Sequence, residues 1–112
     1  QQIRKQQAAG YQLAVATRGQ QIVGVAGFVI GEKLAWRKHL YVDDLVTRSG
    51  DRSTGVGRKL MAWLKRYARE QGCEQLHLDS GVQRFGAHRF YLREGFDISS
   101  HHFSLLELDP AP

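Results

Sequence analysis

Cysteine occurs once in this chain, at Cys73, and proline only in the tail, at Pro110 and Pro112. A lone cysteine cannot close an internal disulfide. That excludes the small disulfide-stapled scaffolds and points to a reducing, cytoplasmic setting. No apolar run is long enough to cross a bilayer and no signal-peptide pattern is present, so no membrane partner is expected. Blocks of like charge are missing too. The 16 Lys and Arg against 11 Asp and Glu give a net charge of +5, but the charges are scattered. A nucleic-acid domain more often shows a basic stripe interleaved with aromatics, so nucleic acid is not an expected partner. His39, His77, His88, His101 and His102 form no pair with convincing ligand spacing to Cys73, and no metal is expected.

What is present is enough for a folded core. With 42% hydrophobic and 10% aromatic residues in 112 positions, the composition suits one domain, residues 1–112, and not a disordered chain. Gln1–Ala9 is polar and rich in helix formers, with Gly10 as a stop, and reads as the last turns of a helix. Tyr11–Thr17 alternates as a strand, Arg18-Gly19-Gln20 is a turn, and Gln21–Ile30 is a β-branched run, giving an antiparallel hairpin. Gly24 and Gly27 inside the second strand signal a bend or a close backbone neighbour. Gly31–Lys38 reads as a loop.

His39–Thr47 is apolar enough for a central strand. Adjacent aspartates, Asp43 and Asp44, are out of place there and mark a bulge or a functional edge. Gly57–Gln71 is a helix: Leu60, Leu64 and Ala68 recur on one ridge and Val56, Trp63 and Tyr67 on a second, with Gly72 as the stop. Gln75–Ser80 alternates as a strand and Arg84–Glu94 is a second helix closed by Gly95. Phe96–Ser99 and Phe103–Leu108 read as closing strands. The order (α)-β-β-β-α-β-α-β-β predicts an α/β (α+β) fold: a mixed, mostly antiparallel central sheet with one βαβ unit.

The most informative stretch runs from Leu45 to Leu60. It joins a strand end to a helix start through a polar turn holding Gly55 and Gly57, with Arg52, Arg58 and Lys59 around them. Glycines permit close backbone approach, and a helix N-terminus offers unpaired N–H groups and a positive dipole end, so the stretch reads as a phosphate cradle. A P-loop fails because Val56 and Gly57 stand where lysine and Ser/Thr must follow the second glycine. A dinucleotide fingerprint fails because Leu60 stands where a third glycine is needed. What remains is Arg52-x-x-Gly55-x-Gly57. Downstream, Arg84-Phe85-Gly86-Ala87-His88-Arg89-Phe90-Tyr91-Leu92-Arg93-Glu94-Gly95-Phe96 follows one strand after the cradle helix.

Together these two motifs, in this order, resemble the GNAT superfamily of N-acyltransferases. Its pyrophosphate loop is Arg/Gln-x-x-Gly-x-Gly/Ala and its second segment Asn-x-x-Ala-x-x-Phe/Leu-Tyr-x-x-x-Gly-Phe. The resemblance covers about Tyr11 to Leu108. It implies a GNAT-like N-acetyltransferase that uses acetyl-CoA as co-substrate and passes the acetyl group to a primary amine in a ternary complex. Ser80 lacks the context of a nucleophile elbow, which disfavours an acyl-enzyme.

By position the resemblance implies that Leu45, Val46 and Thr47 bind pantetheine with their backbone groups. Arg52, Ser53, Thr54, Gly55, Val56, Gly57, Arg58 and Lys59 would hold the pyrophosphate. Tyr91 would be the general acid, a phenol that is protonated at neutral pH. Asp43 or Asp44 would be the base or position a water; Tyr41, which stands where some relatives carry a glutamate base, and Asp79, His77 and His88 are further candidates. Arg84 replaces the family's frequent asparagine and would face the phosphates or the acceptor.

The family's first strand and first helix, which help line the acceptor pocket, are missing, and the sequence starts at Gln1 without an initiator methionine. It therefore reads as part of a longer polypeptide, or as a chain that takes this wall from a partner, such as a second copy in a homodimer. The acceptor is a small-molecule or protein amine. Rival readings are a non-catalytic CoA-binding or interaction module on the same fold and, from charge alone, a nucleic-acid domain.

Overall fold

The computed structural model describes residues 2–8, 11–48, 55–80, 84–100 and 102–108. The chain divides into two units, Gln1–Asp79 and Ser80–Pro112. The first holds a five-stranded sheet in the order β1-β2-β3-β4-β5, made of β1 (Gln2–Ala8), β2 (Tyr11–Arg18), β3 (Gln21–Lys33), β4 (Arg37–Thr47) and β5 (Gln75–Leu78), with α1 (Val56–Glu70) between β4 and β5. The first four strands pair antiparallel and β5 pairs parallel to β4. The fold is thus the mixed, mostly antiparallel α/β sheet with a βαβ unit that the pattern predicts.

Helix α1 buries Val56, Leu60, Met61, Leu64 and Ala68, the spacing of an amphipathic helix whose apolar stripe lies on a sheet. Phe28 of β3 is fully buried and packs edge-on against Tyr67 at 5.7 Å and tilted against Trp63 at 6.1 Å. Burying a side chain of this size contributes about 1.5–3 kcal/mol. Gly24 lets α1 approach. A Cβ there would lie 2.7 Å from Val56 Cγ1 and 3.0 Å from Leu60 Cδ1, so the glycine marks a close backbone neighbour.

Three expectations are corrected. Gln1–Ala9 was expected as a helix end, but β1 (Gln2–Ala8) is a strand paired with β2 along its whole length, from Gln2↔Thr17 to Ala8↔Tyr11. Continuous pairing outweighs the weak helix preference of Gln, Lys and Ala. Most of its described side chains are exposed, and Arg4 and Lys5 blunt this edge against further strands. The loop expected over Gly31–Lys38 shrinks to residues 34–36, because β3 and β4 continue their ladder to Lys33↔Arg37. Phe96–Ser99 and Phe103–Leu108 form no strand. A strand-like composition needs a partner to become a strand, and Phe103, Leu105, Leu106 and Leu108 are exposed.

The second unit contains α2 (Phe85–Arg93). Its turn closes by Phe96 N–H donating to Tyr91 O at 3.1 Å, beside Gly95 at φ 97. Among the described residues no helix is long and apolar enough to cross a membrane.

Candidate functional site

β4 changes character part-way along. His39, Leu40, Tyr41 and Val42 face Gln75, His77 and their neighbours in β5, and the parallel ladder stops at Val42↔Leu78. β4 itself continues to Thr47 against β3. Among the described residues nothing pairs with the β5-side edge of β4 from Asp43 to Thr47.

The ladder phase shows which groups that open edge presents. Arg48 N–H donates to Val23 O at 2.9 Å. In an antiparallel pair alternate residues bond to the neighbour. Counting back from Arg48, Val46 bonds toward β3, while Leu45 and Thr47 direct N–H and C=O to the open edge. Val46 was expected beside them as a pantetheine ligand; the phase assigns its backbone to the sheet.

The aspartates stand where the opening begins. Phe28 pairs with Val42 and Gly27 with Asp44, so Asp43 is the extra residue of a β-bulge. Asp44 accepts a hydrogen bond from the Tyr11 hydroxyl at 3.1 Å. Tyr11 reaches it across Gly27: a Cβ on Gly27 would lie 2.1 Å from the Tyr11 oxygen. Burial, then Asp44, pushes the Tyr11 phenol up to about 12. On the paired side, Tyr41 donates to Asp79. Its phenol is likewise raised, first by burial and then by Asp79. Asp43 adds a smaller rise to both phenols.

His77 is held in a stack. Its ring lies 3.7 Å from that of Trp36, Lys33 sits 4.2 Å from the Trp36 ring centre, and its Nε2 is 2.7 Å from Gln75 Oε1. Burial, then His39, lowers its pKa. These contacts give His77 a packing role between strands. Among the described residues no group of His, Cys, Asp and Glu is arranged to hold a metal ion.

At the far end of the open edge stands the start of α1. Gly55 is its N-cap in the left-handed conformation, φ 82 and ψ 13. A side chain there would be strained by about 1–2 kcal/mol, and Gly55 O accepts from Lys59 N–H at 3.0 Å. Val56 is buried, which anchors the helix start, while Arg58 and Lys59 are exposed. Arg52, Ser53 and Thr54 lie outside the described residues. No acidic residue occupies the first turn, so the positive end of the dipole is not offset there.

In the second unit Tyr91 lies on α2, packed edge-on against Phe90 at 5.4 Å and Phe96 at 5.9 Å. Burial raises its pKa and Arg84 opposes the rise, so the phenol carries its proton through the neutral range. Arg84 is the N-cap of α2; His88 packs against Phe85 at 6.2 Å.

The sequence profile of the Acetyltransferase (GNAT) family matches residues 1–96. The chain belongs to this family. Among its GNAT relatives, an uncharacterized N-acetyltransferase, YhdJ, of Bacillus subtilis is 43% identical over 59% of this chain and 47% of its own. The aminoalkylphosphonate N-acetyltransferase of Salmonella typhimurium is 38% identical over 56% of this chain and 41% of its own. The aligned region spans less than half the length of either relative. A solved aminoglycoside N-acetyltransferase in complex with CoA superposes with a TM-score of 0.80, covering 89% of this chain and 78% of its own at 15% identity, which shows the shared fold.

Tyr11 and Gly27 escaped the sequence motifs. Gly27 in mid-strand was the usable signal, because it demands a neighbour closer than a methyl group allows.

Proposed function

We propose that the chain is an acyl-CoA N-acyltransferase domain that moves the acetyl group of acetyl-CoA to a primary amine. The observation that carries this reading is the open β4 edge, Asp43–Thr47, leading to an α1 N-terminus capped by Gly55 in the left-handed conformation. An extended ligand can add to such an edge as a strand would, and a diphosphate suits the helix end.

Pantetheine runs along Leu45 and Thr47, with Val46 between them. The pyrophosphate lies on Arg52, Ser53, Thr54, Gly55, Val56 and Gly57, with Arg58 and Lys59 adding charge. Arg84 faces the phosphates or the acceptor. The thioester then comes to the bulge. The amine nitrogen attacks the thioester carbonyl, forming C–N and breaking C–S. Asp43 or Asp44, directly or through water, takes the proton the amine loses, and the Tyr91 phenol protonates the departing thiolate.

Support comes from the family match and from the related N-acetyltransferases of aminoalkylphosphonates and aminoglycosides, whose acceptors are amines. The test is thermal shift with acetyl-CoA followed by acetyl transfer to a panel of amines. Acetyl-CoA at about a hundred times its Kd should stabilise the fold by about 2.7 kcal/mol. Tyr91→Phe should lower kcat by about 10²–10⁴-fold while acetyl-CoA affinity holds. An absent shift, or undiminished turnover in Tyr91→Phe, counts against the assignment.

A further inference from the structure

We infer that Tyr11 is a positioning residue for the transfer reaction, fixing the Asp44 carboxylate at the β4 bulge, and that Gly27 is glycine to let it do so. The inference rests on the acetyl-transfer reading above and decides between its two carboxylates.

Three neighbouring strands build the arrangement. Tyr11 opens β2, Gly27 lies on β3, and Asp44 pairs with Gly27 from β4. The Tyr11 side chain crosses the strand between, and its hydroxyl donates to Asp44 Oδ2 at 3.1 Å. It can cross only because β3 offers no side chain at that point: the nearest atom to a Cβ on Gly27 would be the Tyr11 oxygen itself, at 2.1 Å. A smooth sheet face would have tolerated any small residue at position 27. The missing methyl is matched to one hydroxyl, and that hydroxyl to one carboxylate.

Asp43 has a different setting. Both carboxylates are exposed, but Asp43 is the extra residue of the bulge, opposite no residue of β3. Bulge geometry sets its backbone, while Asp44 is fixed by both its ladder partner and the phenol. A group that accepts a proton during attack must hold its place relative to the nucleophile, and Asp44 meets that need. Its Oδ2 is engaged by Tyr11, so the proton leaving the amine nitrogen passes to Oδ1 as the C–N bond forms. Tyr11 keeps its own proton throughout, since burial and the adjoining carboxylate hold the phenol in its neutral, donating form.

The test uses the full chain with acetyl-CoA and the better acceptor of an aminoalkylphosphonate and an aminoglycoside. Tyr11→Phe should lower kcat/KM for the amine about tenfold, the value of a hydrogen bond to a charged group, with the KM for acetyl-CoA unchanged. Asp44→Asn should lower it by about a hundredfold or more. The double variant should fall no further than Asp44→Asn alone, because Tyr11 acts through Asp44. A merely structural tyrosine would give additive losses and would disturb acetyl-CoA as well. Gly27→Ala should reproduce the Tyr11→Phe profile by displacing the hydroxyl, which keeps the test open if Tyr11→Phe folds poorly.

Additive losses, or full amine kcat/KM in either Tyr11→Phe or Gly27→Ala, overturn the inference while leaving the transferase reading intact. A wild-type chain that neither binds acetyl-CoA nor acetylates either of these amines overturns both.

Discussion

β4 is one strand with two unlike halves. Its first half, up to Val42, is held on both edges, by β3 and by β5, and contains the buried residues His39, Leu40 and Val42. Its second half, Asp43–Thr47, keeps β3 alone. None of its side chains is fully buried, and it carries two carboxylates. Paired backbone is spent on the sheet, whereas unpaired backbone is available to something else. One strand can therefore be closed scaffold over one stretch and leave backbone groups open over the next, and the boundary is set where its neighbour stops. Here that boundary coincides with a bulge, which turns the chain just where pairing is lost.

Substitutions at the two ends of the strand should expose this contrast most sharply. Leu40→Ala removes a fully buried side chain and should cost about 2–5 kcal/mol in denaturant unfolding. Val46→Ala, at a residue 61% exposed, should stay within about 0.5 kcal/mol. Equal losses would erase the distinction between the halves.

A smaller effect separates neighbouring residues within the open half. Proline at 46 deletes an N–H assigned to the β3 ladder, so Val46→Pro should lose about 1–3 kcal/mol of stability. Leu45→Pro deletes an N–H on the open side, where edge strands tolerate proline. It should keep most of the melting temperature and instead weaken acetyl-CoA binding, by about tenfold if one hydrogen bond worth ~1.4 kcal/mol is lost. Calorimetric titration beside thermal melting checks both, and the reverse pattern would reassign the ladder phase.

The faintest signal is alkaline. The Tyr11 phenol moves from 10.0 to about 12 on folding. Between those values the folded chain holds a proton that the unfolded chain has released, so stability falls as pH rises through that window. Tyr41 is raised in the same direction and adds slope of the same sign. The readout is therefore the difference between wild type and Tyr11→Phe, whose stability should decline less steeply from pH about 10 to about 12.

Local pattern carried much of this architecture. The ridges of α1 and the β2–β3 hairpin were legible because periodicity and turn residues act over a few positions. The bulge at Asp43 and Asp44 was legible because aspartate sits badly in a central strand. What escaped was pairing. Gln2–Ala8 has a helical composition and becomes a strand through a neighbour, while Phe103–Leu108 has a strand composition and forms none among the described residues. The open edge is invisible for the same reason, since the end of β5 is defined only against β4. Tyr11 shows the limit for a site residue: its meaning lies in two other strands.

Gly24 has one more consequence. The missing Cβ seats Val56, the first residue of α1, directly on β3, and the same position lies 3.4 Å from the Val46 carbonyl. Gly24 thus works as a ruler. It sets the separation between helix mouth and strand edge, the two places where opposite ends of one long ligand would be gripped. The gauge is cut into the sheet itself, at a position where any side chain would push Val56 and Leu60 away from β3.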